Sequence, residues 1–210
     1  MTSNSYPTAT SIEQELSRLR ALELSTVPGF PLKAESICVA VLGLVELYKC
    51  VENFLQMPQT QQIQVHHQPE GWVDELIEGS VTLLDIGGTA RDILLQMKEN
   101  VKDLQSAFHR RKFEEKVLGN MVASYTSFKK RVKKDAGTCL KTLKRLEQKY
   151  VACLLLDHDY DSAVVVRVLR EVSSVAISIF RALLLFLSTP VSKPKVGRWS
   201  LVPKLMQRGE

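Results

Sequence analysis

The chain has 210 residues, of which 45% are hydrophobic and 24% are charged, and its formal net charge is +5. This composition excludes a disordered or collagen-like chain, and the length is sufficient for one substantial hydrophobic core. The four cysteines show no CxxC pairing, and residues 1–10 lack the apolar stretch of a secretion signal. We therefore expect free thiols and a cytoplasmic protein, with the nucleus or a membrane surface as alternative locations.

The N-terminal part begins with a polar segment and a short helix. Residues 1–10 are rich in Ser and Thr, which predicts disorder. Ser11 has the features of a helix N-cap, with Gln14 as its capping-box partner, and Pro28 lies beyond the end of this first helix. Its predicted apolar face consists of Ile12, Leu16 and Leu19.

A second helix is predicted over residues 34–57, because its apolar repeat stops at Pro58. The residues predicted to face the core are Ile37, Val41, Leu44, Tyr48, Val51 and Leu55. Residues 59–71 are rich in Gln and form a polar connector. Two helices therefore precede the longer elements of the chain.

The third predicted helix covers residues 72–108 and carries a continuous apolar repeat. Apolar or small residues alternate at spacings of three and four over five heptads, as in helices that pack at a shallow angle. Its predicted core positions are Val73, Leu76, Ser80, Leu83, Gly87, Ala90, Leu94, Met97, Val101, Leu104 and Phe108. Ser80, Gly87, Gly88 and Ala90 are small, so we expect either close helix packing or a kink there.

Two more long helices complete the predicted fold. After a turn near Arg110, the repeat resumes over residues 113–155, and a last helix covers residues 162–188. The predicted core positions of the fourth helix are Leu118, Met121, Tyr125, Phe128, Val132, Ala136, Cys139, Leu143, Leu146, Tyr150 and Cys153. The prediction is an all-α, elongated antiparallel bundle in a single domain, 11–189, followed by a linker and short tail, 190–210.

The sharpest polar signal is a basic stripe, defined as Lys129, Lys130, Arg131, Lys133 and Lys134. It belongs to the segment 109–149, which has thirteen basic and four acidic residues. The stripe is a candidate contact for a polyanion, a protein partner or anionic lipid, and it resembles a nuclear-import signal. Nucleic acid is not favoured, because aromatic residues that stack on bases are not interleaved with it. The simplest interpretation is the solvated face of a helix, since Val132 belongs to the core repeat.

The last helix is apolar nearly all round over residues 172–187. A membrane span needs about 20 residues without a central charge, and this stretch is shorter and contains Arg181. A central, buried helix of the bundle is the favoured interpretation. A peripheral membrane protein that combines this helix with the basic stripe remains the alternative.

The sequence contains no motif that indicates catalysis, metal binding or phosphate binding. Residues 157–161 place carboxylates at alternate positions, but they lack the Gly and Glu of a calcium loop and suit a helix cap better. His66 and His67 have no third ligand nearby, and Gly87-Gly88 lacks the spacing of a phosphate-binding loop. We predict no catalytic, cofactor-binding or metal-binding residue, no cofactor and no small-molecule substrate.

Several stretches together resemble one family. They are LVELYKCVENFLQMPQTQQ at 44–62, WVDELIEG and LLDIGGTARDILLQMKENVKDLQSA within 72–107, and the later CLKTLKRLE, VVVRVLREV and GRWSLVPKLM. These are similar to the BYPASS-like proteins of plants over about residues 11–206. Such proteins usually carry a longer, basic N-terminal segment, where this chain has MTSNSYPTAT. The resemblance implies a role in root and shoot development and assigns no catalytic residue.

The combined expectation is a non-catalytic helical scaffold or adaptor that acts in plant development through contacts with other proteins. The peripheral membrane protein is the competing hypothesis. Salt-dependent binding to anionic vesicles separates the two, because an electrostatic contact weakens as salt screens it.

Overall fold

The computed structural model describes residues 7–22, 33–58, 60–61, 71–109, 115–153 and 162–189. The regular structure of this part is helical, without strands, which confirms the all-α prediction. The five helices are α1 (Pro7–Ala21), α2 (Ala34–Leu55), α3 (Gly71–His109), α4 (Glu115–Cys153) and α5 (Ser162–Ser188). The predicted bounds of the four longer helices differ from these by no more than two residues.

The start of α1 differs from the prediction. The helix begins at Pro7, so Ser11 lies within it and is not its N-cap. The fixed φ of proline suits the first helical position, which explains the earlier start. The Ser11 hydroxyl instead lies 3.4 Å from the sulfur of Cys50 on α2. Ile12, Leu16 and Leu19 are buried, as predicted.

α5 is the central helix of the bundle, because it packs against each of the other four. α1 and α2 pack together on one side of it, and α3 and α4 pack together on the other. Within the described residues, the backbones of α2 and α3 do not approach each other. The arrangement is therefore two helix pairs that share one apolar helix.

α3 and α4 are antiparallel neighbours. Lys149 near the end of α4 bonds Glu78 near the start of α3, and Arg131 bonds Gln96 further along. α3 and α4 therefore run in opposite directions, and the turn between them was predicted near Arg110. Residues 110–114 themselves lie outside the described part of the chain.

The core follows the predicted repeat closely on α4. Its buried side chains are Phe128, Val132, Ala136, Cys139, Leu143, Leu146 and Tyr150, all of which were predicted. Tyr125 was predicted to be buried but is exposed. Burial raises the pKa of the Cys139 thiol, an effect that Asp135 reinforces and a hydrogen bond from Thr89 opposes.

α2 and α3 bury only part of the face predicted for each. Ile37, Leu44 and Val51 of α2 are buried as predicted, as are Leu76, Leu83 and Ala90 of α3. On α2 the buried positions include Ala40, Leu47 and Phe54 rather than Val41, Tyr48 and Leu55. On α3 the buried positions are Glu75, Leu76, Gly79, Leu83, Ile86, Ala90 and Ile93. The predicted core positions Ser80, Leu94 and Val101 are exposed. At several positions the predicted register is therefore wrong by one residue on both helices.

Candidate partner-binding groove

An apolar groove separates α2 from α3, with α5 as its floor. We call it the apolar groove; its volume is about 880 Å³. It is lined by Tyr48, Val51, Glu52, Leu55 and Gln56 of α2, by Val73, Leu76, Ile77, Ser80, Val81 and Leu84 of α3, and by Leu169, Val172 and Ser173 of α5. The α3 wall, residues 73–84, is about 17 Å long, or three helical turns.

The walls of the apolar groove explain the error in register. Tyr48, Leu55, Val73 and Ser80 were predicted to face the core, and all four line the groove. α2 and α3 each carry a second apolar stripe beside the buried one, at the spacing of a helix–helix contact. Since the backbones of α2 and α3 do not approach each other, these stripes do not cover each other.

The outer edge of the groove exposes large apolar side chains. Leu84 is 74% exposed, Ile77 is 57% exposed and Val81 is 51% exposed, all on one face of α3. Single exposed apolar residues are ordinary, but a contiguous apolar surface marks an interaction site. Covering side chains of this size contributes about 25 cal/mol for each Å² removed from water.

The charge around the groove is negative. Among the residues that line it, Glu52 alone is charged. The two elements that form its walls, α2 and residues 71–85, contain seven acidic residues and one lysine. A partner that carries basic residues beside an apolar surface therefore complements this groove.

A buried polar cluster lies under the floor of the groove. Arg170 of α5 and Glu75 of α3 are each 7% exposed, and their charged groups are 3.8 Å apart. Tyr150 of α4 lies beside both. Burial raises the pKa of Tyr150 and Glu75 raises it further, whereas Ser173, Lys149 and Arg170 act in the opposite direction. Ser173 belongs both to this cluster and to the groove floor, so the two are continuous.

Tyr48 connects the α2 wall to the same cluster. Burial raises the pKa of the Tyr48 hydroxyl, and the nearby Tyr150 raises it further. The sequence repeat did not reveal this cluster, because Glu75 and Arg170 lie between apolar positions and belong to no predicted core or site. The pairing of Glu75 on α3 with Arg170 on α5 follows only from the packing.

The small residues of α3 have different roles from those predicted. A Cβ at Gly88 would meet nothing within 4 Å, and one at Gly87 would lie 3.4 Å from Phe180, an ordinary contact. Ser80 is exposed in the groove wall, and its hydroxyl donates to the Leu76 carbonyl. The expectation of close packing is therefore wrong at Gly88 and is not required at Gly87.

Gly79 makes the close approach instead. A Cβ at this position would overlap the Tyr150 hydroxyl and lie 2.9 Å from its Cζ. Ala90 is buried in the core, consistent with its predicted place in the repeat. Tyr150 of the polar cluster is thus the side chain that requires a small residue at position 79.

The basic stripe lies on the outer face of α4. Lys129, Lys130, Lys133 and Lys134 are exposed, while Val132 points into the core. Lys129 stands over the Tyr125 ring at 5.7 Å, and Arg131 donates to Gln96 at 3.0 Å. Within the described residues, Lys130, Lys133 and Lys134 form no ion pair. The stripe does not border the apolar groove.

α5 contains the segment with the composition of a membrane span. Val165–Ser188 has a mean hydropathy of 1.7, and half of the apolar window is buried inside the bundle. Val172, Ala176, Ile179 and Leu184 of this segment are core residues. The core helix of a bundle has the same composition, and α5 has that position here.

The described residues contain no group of three or more His, Cys, Asp or Glu side chains suited to hold a metal ion. His66, His67 and residues 157–161, which we considered from the sequence, lie outside the described part of the chain.

These observations define a class of protein, an all-α bundle that presents an apolar groove. The comparisons identify the family. The chain belongs to the BPS1 family of plants, the BYPASS family, because the family model described as "Protein BPS1" matches residues 41–210. This family is plant-specific and developmental, and its molecular function is unknown. No curated protein and no solved structure matches the chain significantly. The matched range contains every residue that lines the apolar groove.

Proposed function

We propose that this protein is a non-catalytic helical adaptor of plant development, and that it binds an amphipathic helix of a partner protein in the apolar groove. The single observation that carries the proposal is the groove itself, with apolar side chains at helical spacing on two facing walls. A helix laid between such walls would bury its own apolar face, as in other helix-in-groove complexes.

The chemistry of the walls specifies the partner. A helix with apolar residues at spacings of three and four matches the three-turn length of the α3 wall. Basic residues on the sides of that helix match the excess of acidic residues on α2 and on residues 71–85. An acidic helix of the same shape is disfavoured, since like charges at an interface are repulsive.

A synthetic peptide tests this proposal. The probe is a helix of about four turns, with Leu at spacings of three and four and Lys elsewhere; a scrambled peptide of the same composition is the control. We expect saturable binding of the patterned peptide, measured by fluorescence anisotropy. Leu84→Glu should weaken it at least tenfold, about 1.4 kcal/mol, because the new carboxylate would lie in the contact.

Leu95→Glu is the matched control, because Leu95 is on the same helix, is 51% exposed and does not line the groove. It should leave binding unchanged. Equal binding of the patterned and scrambled peptides, or equal loss in both variants, would reduce the interaction to non-specific charge attraction and contradict the proposal.

The second candidate is a peripheral membrane protein that uses the basic stripe. The observation that favours it is the exposed row of Lys130, Lys133 and Lys134 without acidic partners in the described residues. The burial of the α5 core residues argues against a contribution from that helix. In this candidate function, the contact with the membrane is therefore electrostatic and is made by the basic stripe alone.

A further inference from the structure

We infer that the C-terminal segment 198–206, RWSLVPKLM, occupies the apolar groove of its own chain and holds it closed to a partner. The inference rests on the proposed function, because it assigns a regulator to the same groove. Three independent features of the chain identify this occupant: its reach, its apolar residues and its charge.

The chain beyond α5 is long enough to reach the groove. The floor of the groove is at Leu169 to Ser173, and α5 continues for about 28 Å from Leu169 to its end at Ser188. Ten extended residues cover about 33 Å, so Trp199 and the residues after it are within reach of the groove floor. Residues 190–197 serve only as the connection.

The residues within that reach have the composition of a groove ligand. Trp199, Leu201, Val202, Leu205 and Met206 place five large apolar side chains within eight residues. Tryptophan is the residue most enriched at the energetic centre of interfaces, so Trp199 is the expected anchor. Pro203 prevents an uninterrupted helix through the segment, which limits its fit to short stretches on either side.

The charge of the segment complements the walls. Residues 190–206 contain four basic residues, Lys193, Lys195, Arg198 and Lys204, and no acidic residue. Three of the seven acidic residues on the walls, Glu46, Glu75 and Glu78, are ion-paired, which leaves four acidic residues to attract a basic segment to this groove rather than to the basic stripe. The family match of residues 41–210 also includes both the groove and this segment.

The experiment uses the full chain and the fluorescence of Trp199. The chain has two tryptophans, so Trp72→Phe leaves Trp199 as the single reporter. We expect short-wavelength emission and weak acrylamide quenching. Adding Leu84→Glu should shift the emission to longer wavelength and raise the quenching constant severalfold, whereas adding Leu95→Glu should change neither. If Trp72→Phe disturbs folding, the difference spectrum between wild type and Trp199→Phe gives the same information.

A solvent-exposed Trp199, or protection that Leu84→Glu does not alter, would overturn the inference. Protection that increases with protein concentration would also overturn it, because the segment would then come from a second copy. Protection that is independent of concentration and lost only with the groove substitution supports docking within one chain.

The patterned peptide separates this inference from the proposed function. In the full chain carrying Trp199→Ala and Leu201→Ala, the groove should open, and the peptide should bind roughly tenfold more tightly if the segment closes the groove about 90% of the time. Equal binding to wild type and this variant overturns the inference and leaves the adaptor function intact. Groove-dependent protection of Trp199 without peptide binding to either protein supports docking and overturns the adaptor function.

Discussion

The hydroxyl of Tyr150 occupies the space that any residue larger than glycine would need at position 79. We expect Gly79→Ala to destabilise the protein by about 1–3 kcal/mol, because the buried tyrosine must shift and Leu146, 3.3 Å from the new Cβ, blocks one direction. Gly88→Ala should instead stabilise it by about 0.5–1 kcal/mol, since the added methyl group meets open space and alanine favours the helix. Urea unfolding of both variants measures the difference.

Tyr150→Phe provides the control for this prediction. It removes the oxygen that overlaps the new methyl group, so the double variant Gly79→Ala, Tyr150→Phe should be more stable than the two single effects added together. Strict additivity would show that the two residues do not interact and that Gly79 is required for another reason.

The buried ion pair between Glu75 and Arg170 is a second place where we expect a single substitution to change the stability of the protein. Glu75→Gln removes a negative charge from a site where both partners are 7% exposed, and the buried arginine loses its ion pair with Glu75. We expect a loss of about 3 kcal/mol in the free energy of unfolding. Replacing both, as Glu75→Leu with Arg170→Met, should restore stability to within about 1 kcal/mol, because no buried charge is then left uncompensated.

Chemical denaturation with the two variants side by side checks this expectation. A Glu75→Gln protein as stable as wild type would contradict the expected contribution of the Glu75–Arg170 pair to stability.

The elements differ in how well the sequence predicted them. α4 has one apolar stripe, and the sequence predicted each of its buried side chains from Phe128 to Tyr150. α2 and α3 each have two adjoining apolar stripes, one buried in the core and one lining the groove. The predicted repeat took some positions from each stripe. Tyr48 was placed where Leu47 is buried, and Ser80 where Gly79 is buried. The one-residue difference rotates a helix face by about 100°, enough to exchange the core for the groove.

The residues that line the groove appear in the sequence as more apolar positions than one core face needs. The sequence did not show that these extra positions form a surface. Ile77, Val81 and Leu84 extend the apolar stripe of α3 beyond what one neighbouring helix buries. Whether such an excess faces a third helix or solvent depends on contacts distant in sequence. The polar cluster was still less accessible, because Glu75, Tyr150 and Arg170 come from three helices.

The assembly of the whole molecule determines how α5 is used. Composition alone gives Val165–Ser188 the character of a membrane helix, yet the two helix pairs enclose its core residues from opposite sides. Half of this apolar window is thus buried inside the bundle. If the intact protein binds a membrane through exposed charge, we expect the basic stripe on α4 to make that contact.

This arrangement predicts a specific response to salt and to substitution. We expect vesicles that contain phosphatidylserine to bind the protein only at low ionic strength, with binding lost as salt screens the exposed lysines. Lys130→Gln with Lys133→Gln and Lys134→Gln should weaken the low-salt binding about a hundredfold, at roughly 1 kcal/mol for each lysine. The melting temperature should be nearly unchanged, because exposed substitutions usually alter stability by less than about 0.5 kcal/mol. Flotation and thermal unfolding measure the two effects, and binding that persists at high salt would show that the bundle opens and releases α5 into the membrane.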